Sequence, residues 1–194
     1  LVFLLLVLLV AILVPVFLPR SPWSIVGRPL LPPMSPGYLL GTDMIGRDVA
    51  LGLVHGARFS LLIGLLSAAV SVLIGITVGA VAGYFRGWAD EMLMRLTEFF
   101  QIVPGLVLIM VLVAVIGPGL WSIVIGIGVV TWPSTARIMR AEVLSLRTRQ
   151  FVDAARAAGE TPFRILFAQV LPNALSPVIV VASVMVASAL LIES

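Results

Sequence analysis

Apolar residues along this chain fall into five long runs separated by polar or proline-rich connections, and the run lengths predict membrane-spanning helices. The first, 1–18, carries no charge and as a helix would be about 27 Å long, close to the hydrocarbon thickness of a bilayer. A cleaved signal peptide is the alternative, but the usual basic start and small-residue cleavage site are absent, so a membrane anchor is expected. The second run, 59–83, places Ser67, Ser71, Gly75, Gly79 and Gly83 four residues apart, on one helical face. Such a ridge admits the backbone of a neighbouring helix and predicts a span buried among others. The third run ends near 116 and contains Gln101 and Pro104, a possible hinge or pathway position. A proline inside a span removes one hydrogen bond and predicts a kink, which either moves or stays fixed. Gly117-Pro118-Gly119 turns the chain into the fourth run, 120–135, and the fifth covers 173–192 with Ser183, Ala187 and Ala189 keeping it slim.

The connections carry the polar pattern. Residues 19–58 form a long connection with six prolines in its first half, followed by LGTDMIGRD and HGAR. Gly41, Asp43, Gly46, Arg47 and Asp48 lie there; ligand contact is one reading and a self-paired structural loop is the expected one. Residues 84–98 are polar, with Glu91 four before Arg95 and apolar Met92, Leu93, Leu96, Phe99 and Phe100, which predicts an amphipathic helix at the membrane surface.

Composition turns these runs into a class. Hydrophobic residues make up 61% of the 194 and mean hydropathy is +1.21, against roughly 45–50% apolar residues in soluble domains, so the chain is an integral membrane protein. All 12 basic residues are arginine; without lysine no phosphate-binding loop of the G-x-x-x-x-G-K-[ST] type exists. There is no cysteine and His55 is the sole histidine, so no metal site is expected. The net charge of +3 raises nucleic acid as a partner, but arginines in a membrane protein mark loops retained in the cell, and no nucleic acid is expected. Six of the 12 arginines lie in 137–164, which puts that stretch in the cytoplasm, 84–98 beside it, and the 19–58 connection outside. The chain begins at Leu1 inside an apolar run, and is expected to be part of a longer protein.

Transport chemistry of the ion-coupled kind needs ionisable groups inside the spans, and only Gln101 and the terminal Glu193 approach that description. Catalytic residues are equally scarce, and none is assigned. The unusual element is cytoplasmic. Thr148 is placed to cap a short helix in which Phe151, Ala154, Ala155 and Ala158 share one side and Asp153 and Arg156 lie elsewhere. Gly159 suits the left-handed residue that ends it, Thr161-Pro162 suits a fresh helix start, and Pro172 is expected to close the unit. An aromatic tip beside an alanine face fits a groove on another protein; a surface helix on lipid headgroups is the other reading.

This stretch resembles the EAA loop of ABC importer permeases: Asp153-Ala154-Ala155, then Gly159 at the family spacing, then Leu171-Pro172, with aspartate where glutamate is usual. LGTDMIGRD, HGARFSLLIG, AGYFRGWADEMLMRLTE and LPNALSP are similar to the C-type permease subunit of the dipeptide, oligopeptide and nickel branch, and the resemblance covers about 38–194. It implies an all-α type I permease bundle of six spans, of which five are present, in a bacterial or archaeal cytoplasmic membrane. It also implies a domain order of anchor 1–18, extracytoplasmic connection 19–58 and transmembrane core 59–194, with the coupling loop at 148–172. The implied partners are a homologous permease subunit, two cytoplasmic ATP-binding subunits that hold ATP and Mg, and an extracytoplasmic substrate-binding protein. The residues implied to meet the ATPase are Phe151, Asp153, Ala154, Ala155, Arg156, Ala158, Gly159, Pro162, Leu171 and Pro172, with a coupling helix at 150–163. Peptides lead among the implied substrates, with nickel chelates and other small solutes open. An ion-coupled carrier or a membrane scaffold subunit is the competing expectation from composition alone.

Overall fold

The computed structural model describes residues 21–193, so the expected anchor at 1–18 lies outside the described residues. Seven α-helices and one π-helical turn follow a proline-rich loop: α1 Val49–Phe85, α2 Gly87–Ile102, α3 Gly105–Ile116, α4 Leu120–Leu146, α5 Gln150–Ala157, α6 Pro162–Arg164, the π turn Ile165–Val170, and α7 Leu171–Glu193. The chain divides into two compact units, Leu1–Leu62 and Ile63–Ser194, with α1 beginning in the first and ending in the second.

In the first unit the loop is held by backbone exchange rather than by a core. Val26 and Gly27 donate to the Gly46 carbonyl at 2.9 and 3.1 Å, the Tyr38 hydroxyl donates to Val26 O at 2.5 Å, and buried Thr42 accepts from Leu31 N at 2.9 Å. Gly46 has φ +81° and packs against the Gly27 carbonyl where a Cβ would sit, so glycine is required there. Asp43 accepts from Ile45 N and Arg47 N at 2.9 and 2.8 Å, and Asp48 accepts from Ala50 N and Leu51 N at 2.9 and 3.3 Å. Both carboxylates thus serve the loop itself. The Arg47 backbone N–H, before all other contributions, holds the Asp43 carboxyl below its ordinary pKa. Capping by Asp48 also corrects one expectation: the helix starts at Val49, ten residues before 59, because a capped first turn overrides the small and polar residues Gly52, His55, Gly56 and Arg58.

The second unit is built on the ridge of α1 against α4. A Cβ on Gly75 would stand 2.5 Å from Thr135 Cβ, one on Gly79 2.7 Å from Met139 Cβ, and one on Gly83 2.8 Å from the Arg140 carbonyl. Ser67 and Ser71 on the same face are buried, and the hydroxyls of Ser71 and Thr135 both donate to the Met185 sulfur of α7, at 3.5 and 3.3 Å. One core gathers Ala80 and Tyr84 of α1, Met139 and Val143 of α4, Val152 and Ala155 of α5, and Ile165, Leu166, Val170, Ala174 and Val178 downstream.

The third run bends more sharply than a simple kink: α2 and α3 meet at 91° across Val103-Pro104, as a broken span or a re-entrant loop. Val103 is extended (φ −71°, ψ 126°), as the residue before proline prefers, and Pro104 starts a new helix of 12 residues, about 18 Å. Phe99 to Ile102 belong to the amphipathic α2, whose Phe100 ring meets Trp132 at 5.5 Å edge-on. Gln101 and Pro104 are exposed at the corner. α1, α4 and the continuous helical run Pro162–Ser188 are long and apolar enough to cross a membrane, and the bent pair makes a fourth span if counted as one.

Substitution separates the ridge from ordinary helical glycines. Gly79→Leu is expected to lose at least the roughly 1–3 kcal/mol of an overpacked core, read as a lowered melting temperature in detergent, whereas Gly56→Ala, with open space around it, leaves melting unchanged or raises it. Equal melting of the two variants would refute the ridge as the packing constraint.

Candidate functional site

The element between α4 and α7 starts from a change of direction that the sequence misplaces by one residue. The Thr148 hydroxyl donates back to Ser145 O at 3.0 Å, closing α4, and Arg149 in extended conformation (φ −81°, ψ 149°) precedes α5 without a side-chain cap. Thr148 therefore ends one helix and does not start the next. At the other end Gly159 adopts φ +81°, with Gly159 N donating to Arg156 O at 3.0 Å and Glu160 N to Ala155 O at 3.1 Å, the paired bonds of a Schellman stop. Thr161 then accepts from Arg164 N at 3.4 Å with Pro162 in the first turn, so the restart occurs where the residues place it.

Pro172 does not close this unit. The helix runs on through it because the segment before it widens into a π turn, with Leu171 N bonded five residues back to Leu166 O. A proline ring clashes with the carbonyl four residues earlier, and the wider turn moves that carbonyl aside. The Asn173 side chain takes up the Gln169 carbonyl at 2.7 Å. Leu171 is half-buried against the core while Pro172 is exposed.

α5 is two-faced in a way the alanine pattern conceals. Val152 is fully buried and Ala155 is 6% exposed, both in the core with Met139, Val143, Ile165 and Leu166. Ala155 thus turns inward, and Val152, the one branched aliphatic on the helix, is the inner anchor that the sequence reading missed. Phe151, Asp153, Ala154, Arg156, Ala158, Gly159 and Pro162 are exposed together on the outer side. Asp153 pairs with Arg156 at 3.1 Å on that surface, an exposed pair worth only a few tenths of a kcal/mol, so its shortened side chain is still used locally. The Phe163 ring packs tilted against Phe85 at the end of α1, centroids 5.3 Å apart, while staying 63% exposed.

Two arginines of the basic stem are committed to structure. Arg140 makes a bidentate pair with Asp90 of α2, Nε to Oδ1 at 2.5 Å and Nη2 to Oδ2 at 2.6 Å. Arg147 donates to the Tyr84 carbonyl at 2.9 Å, satisfying a carbonyl at the end of α1. α4 is therefore fastened to α1 and to α2 just before it delivers the chain to α5. Sequence alone shows neither pairing, because Asp90 and Arg140 lie 50 residues apart. The structure brings the 151–172 residues into one element built onto the core; the Gly41 to Asp48 loop belongs to the other unit. Among the described residues no group of three acidic or histidine side chains is placed to hold a metal.

The family described as "Binding-protein-dependent transport system inner membrane component" matches residues 75–193. The chain is similar to a di/tripeptide transport system permease protein DppC of Pseudomonas aeruginosa, 40% identical over 98% of this chain and 65% of the relative. It is similar to dipeptide transport system permease proteins DppC of Bacillus subtilis (38% identical, 99% of this chain, 60% of the relative) and Haemophilus influenzae (34%, 98% and 67%). The chain thus spans about two thirds or less of the length of these curated relatives. A chain of a solved structure titled "Inward facing conformations of the MetNI methionine ABC transporter" shares the fold, with a TM-score of 0.59, 21% identity, and coverage of 71% of this chain and 69% of that one.

The Asp90–Arg140 clamp is testable by a double-mutant cycle. Asp90→Asn and Arg140→Gln are each expected to cost roughly 2 kcal/mol, discounted for the solvent that reaches a third of Arg140. The double variant should cost little more than either alone. Strictly additive losses in denaturant unfolding would show that the two side chains do not act together.

Proposed function

The chain belongs to the family of binding-protein-dependent transport system inner membrane components, and on that premise we propose that it is a transmembrane subunit of an ATP-driven importer for peptides or a related small solute. It lines half of the translocation pathway and takes its energy from two separate cytoplasmic ATPase subunits, which bind ATP and Mg. A homologous permease subunit completes the pathway, and an extracytoplasmic protein delivers the solute. The assembly sits in a bacterial or archaeal inner membrane, with the 137–164 arginines on the cytoplasmic side, the 19–58 connection outside and the transmembrane core at 59–194.

The observation that carries this reading is the two-faced α5. Its inner side, Val152 and Ala155, is locked into the core shared by α1, α4 and α7, and its outer side presents an aromatic tip, two alanines and an ion pair to solvent. A force on the outer face then moves the packed helices as a body, because a close-packed interior transmits displacement with little compression. Small side chains let a partner groove approach with little entropy lost on docking. The absence of lysine supports an ATPase on another chain. We place the ATPase contact on Phe151, Asp153, Ala154, Arg156, Ala158, Gly159 and Pro162; Ala155 and Leu171 support it from within. Gln101 and Pro104, exposed at the α2–α3 corner, are candidate pathway or hinge positions in the complete assembly.

In a full-length complex reconstituted with its ATPase subunits, Ala154→Trp is expected to lower solute uptake at least about tenfold while leaving membrane insertion and the monodisperse behaviour of the chain intact. Ala155→Trp should instead destabilise the chain itself, since that side chain has no room. Normal uptake and normal ATPase copurification by Ala154→Trp would overturn the contact, and uptake driven by an ion gradient without ATPase subunits would overturn the function.

A further inference from the structure

α2 and α4 form the walls of a cavity of about 360 Å³ lined by Met94, Glu98, Arg137 and Arg140. That volume falls within the roughly 300–1,000 Å³ of small-molecule sites. Arg140 is committed to Asp90 by its bidentate pair, and Arg95, on the same helix as Glu98, is committed to Glu91. Glu98 and Arg137 are both exposed, and neither belongs to an ion pair within 4.0 Å among the described residues. One cavity thus carries an unpaired carboxylate on one wall and an unpaired guanidinium on the other. In the sequence both belong to polar stretches next to spans, but the packing sets them deeper. Gly75 of α1 meets Thr135 and Ala136, and Gly79 meets Ala136 and Met139. Arg137 therefore stands level with the apolar stretch between those glycines, roughly 10 Å short of the end of α1, where Arg147 reaches the Tyr84 carbonyl. Charged side chains beside apolar spans face polar cavities and mark the places where solutes bind or pass. A direct Glu98–Arg137 pair would close the space between them; held apart, the two leave room for a ligand that carries both opposite charges.

We propose that this cavity binds a small zwitterion by both ends, its carboxylate on Arg137 and its ammonium on Glu98. The charges balance only for such a ligand. An anion would occupy Arg137 and leave Glu98 uncompensated, a cation would do the reverse, and desolvating the remaining charge opposes either. The guanidinium donates to a carboxylate through a two-pronged fork, and the glutamate accepts charge-assisted hydrogen bonds from an ammonium. Met94 offers an adaptable, polarisable wall to the body of the ligand. An amino acid and a short peptide share this chemistry. The proposal rests on the importer reading in taking the zwitterion for the transported solute, but the binding itself is measured on this chain without ATPase subunits or uptake.

The test is isothermal titration of the full-length protein in nanodiscs with alanine and dialanine, each also in its N-acetylated and its amidated form. At least one of the two zwitterions is expected to bind, and its N-acetylated and amidated forms should each bind about tenfold or more weaker. Arg137→Gln should erase the difference between the zwitterion and its amide, and Glu98→Gln the difference between the zwitterion and its N-acetylated form. A merely structural role for either residue would lower all the affinities together. Arg95→Gln, outside the cavity lining, serves as the control and should match the unmodified chain. Binding of dialanine alone identifies a peptide as the source of the two charges, and binding of alanine alone identifies an amino acid. Failure of both zwitterions to bind, equal affinity of the blocked forms, or either variant keeping the preference it should lose overturns the site. None of these outcomes bears on the importer reading, which uptake without ATPase subunits overturns.

Discussion

The rest of the larger unit depends on the approach of the α1 and α4 backbones along Gly75, Gly79 and Gly83. Each glycine meets α4 where any Cβ would collide with Thr135, Met139 or the Arg140 carbonyl. In a bilayer, lipid offers apolar side chains no less favourable an environment than protein does, so helices associate through close van der Waals contact and a few polar links. The ridge provides the first, and the hydroxyls of Ser71 and Thr135 on the Met185 sulfur provide the second while drawing α7 into the same junction.

Once α4 is fixed against α1, its C-terminal half has a defined direction, and that direction places the 150–172 element. Arg140 on Asp90 and Arg147 on the Tyr84 carbonyl hold the stem where the glycine contacts end. α5 then lies with Val152 and Ala155 in the core beside Ile165 and Leu166, so the outward display of Phe151, Ala154 and Arg156 is a consequence of inward packing. For the contact proposed above, a helix seated in a shared core passes on a push that a flexible tether would absorb. The same rigidity bears on the 91° corner at Pro104, whose α2 arm is held by Asp90 and by Phe100 on Trp132.

Much of this was legible in the chain because it rests on local rules. Gly159 at φ +81°, Thr161 capping a helix that starts with Pro162, and long apolar runs all follow from backbone sterics or from the cost of unpaired polar groups in lipid. Where local rules competed, the sequence misled. Asp48 is a strong cap, yet the glycines and His55 after it resembled a continuing loop, and α1 starts ten residues early. Pro172 has the chemistry of a helix stop, but a π turn accommodates it and the helix continues.

The sequence by itself determined the class of the molecule, the four-residue spacing of small side chains, and the position of the polar element between two spans. Those properties depend on hydropathy and on periods of a few residues, which are written in order along the chain. Only the tertiary structure decided which face of α5 is inner, since alanine at 154 and 155 is equally at home in a core and at a surface and only the neighbours distinguish them. It also decided that Asp90 belongs to Arg140 and that Asp43 and Asp48 bond back to their own loop and to the start of α1. Pairings across 50 residues are properties of the assembled packing, which no single stretch of residues contains.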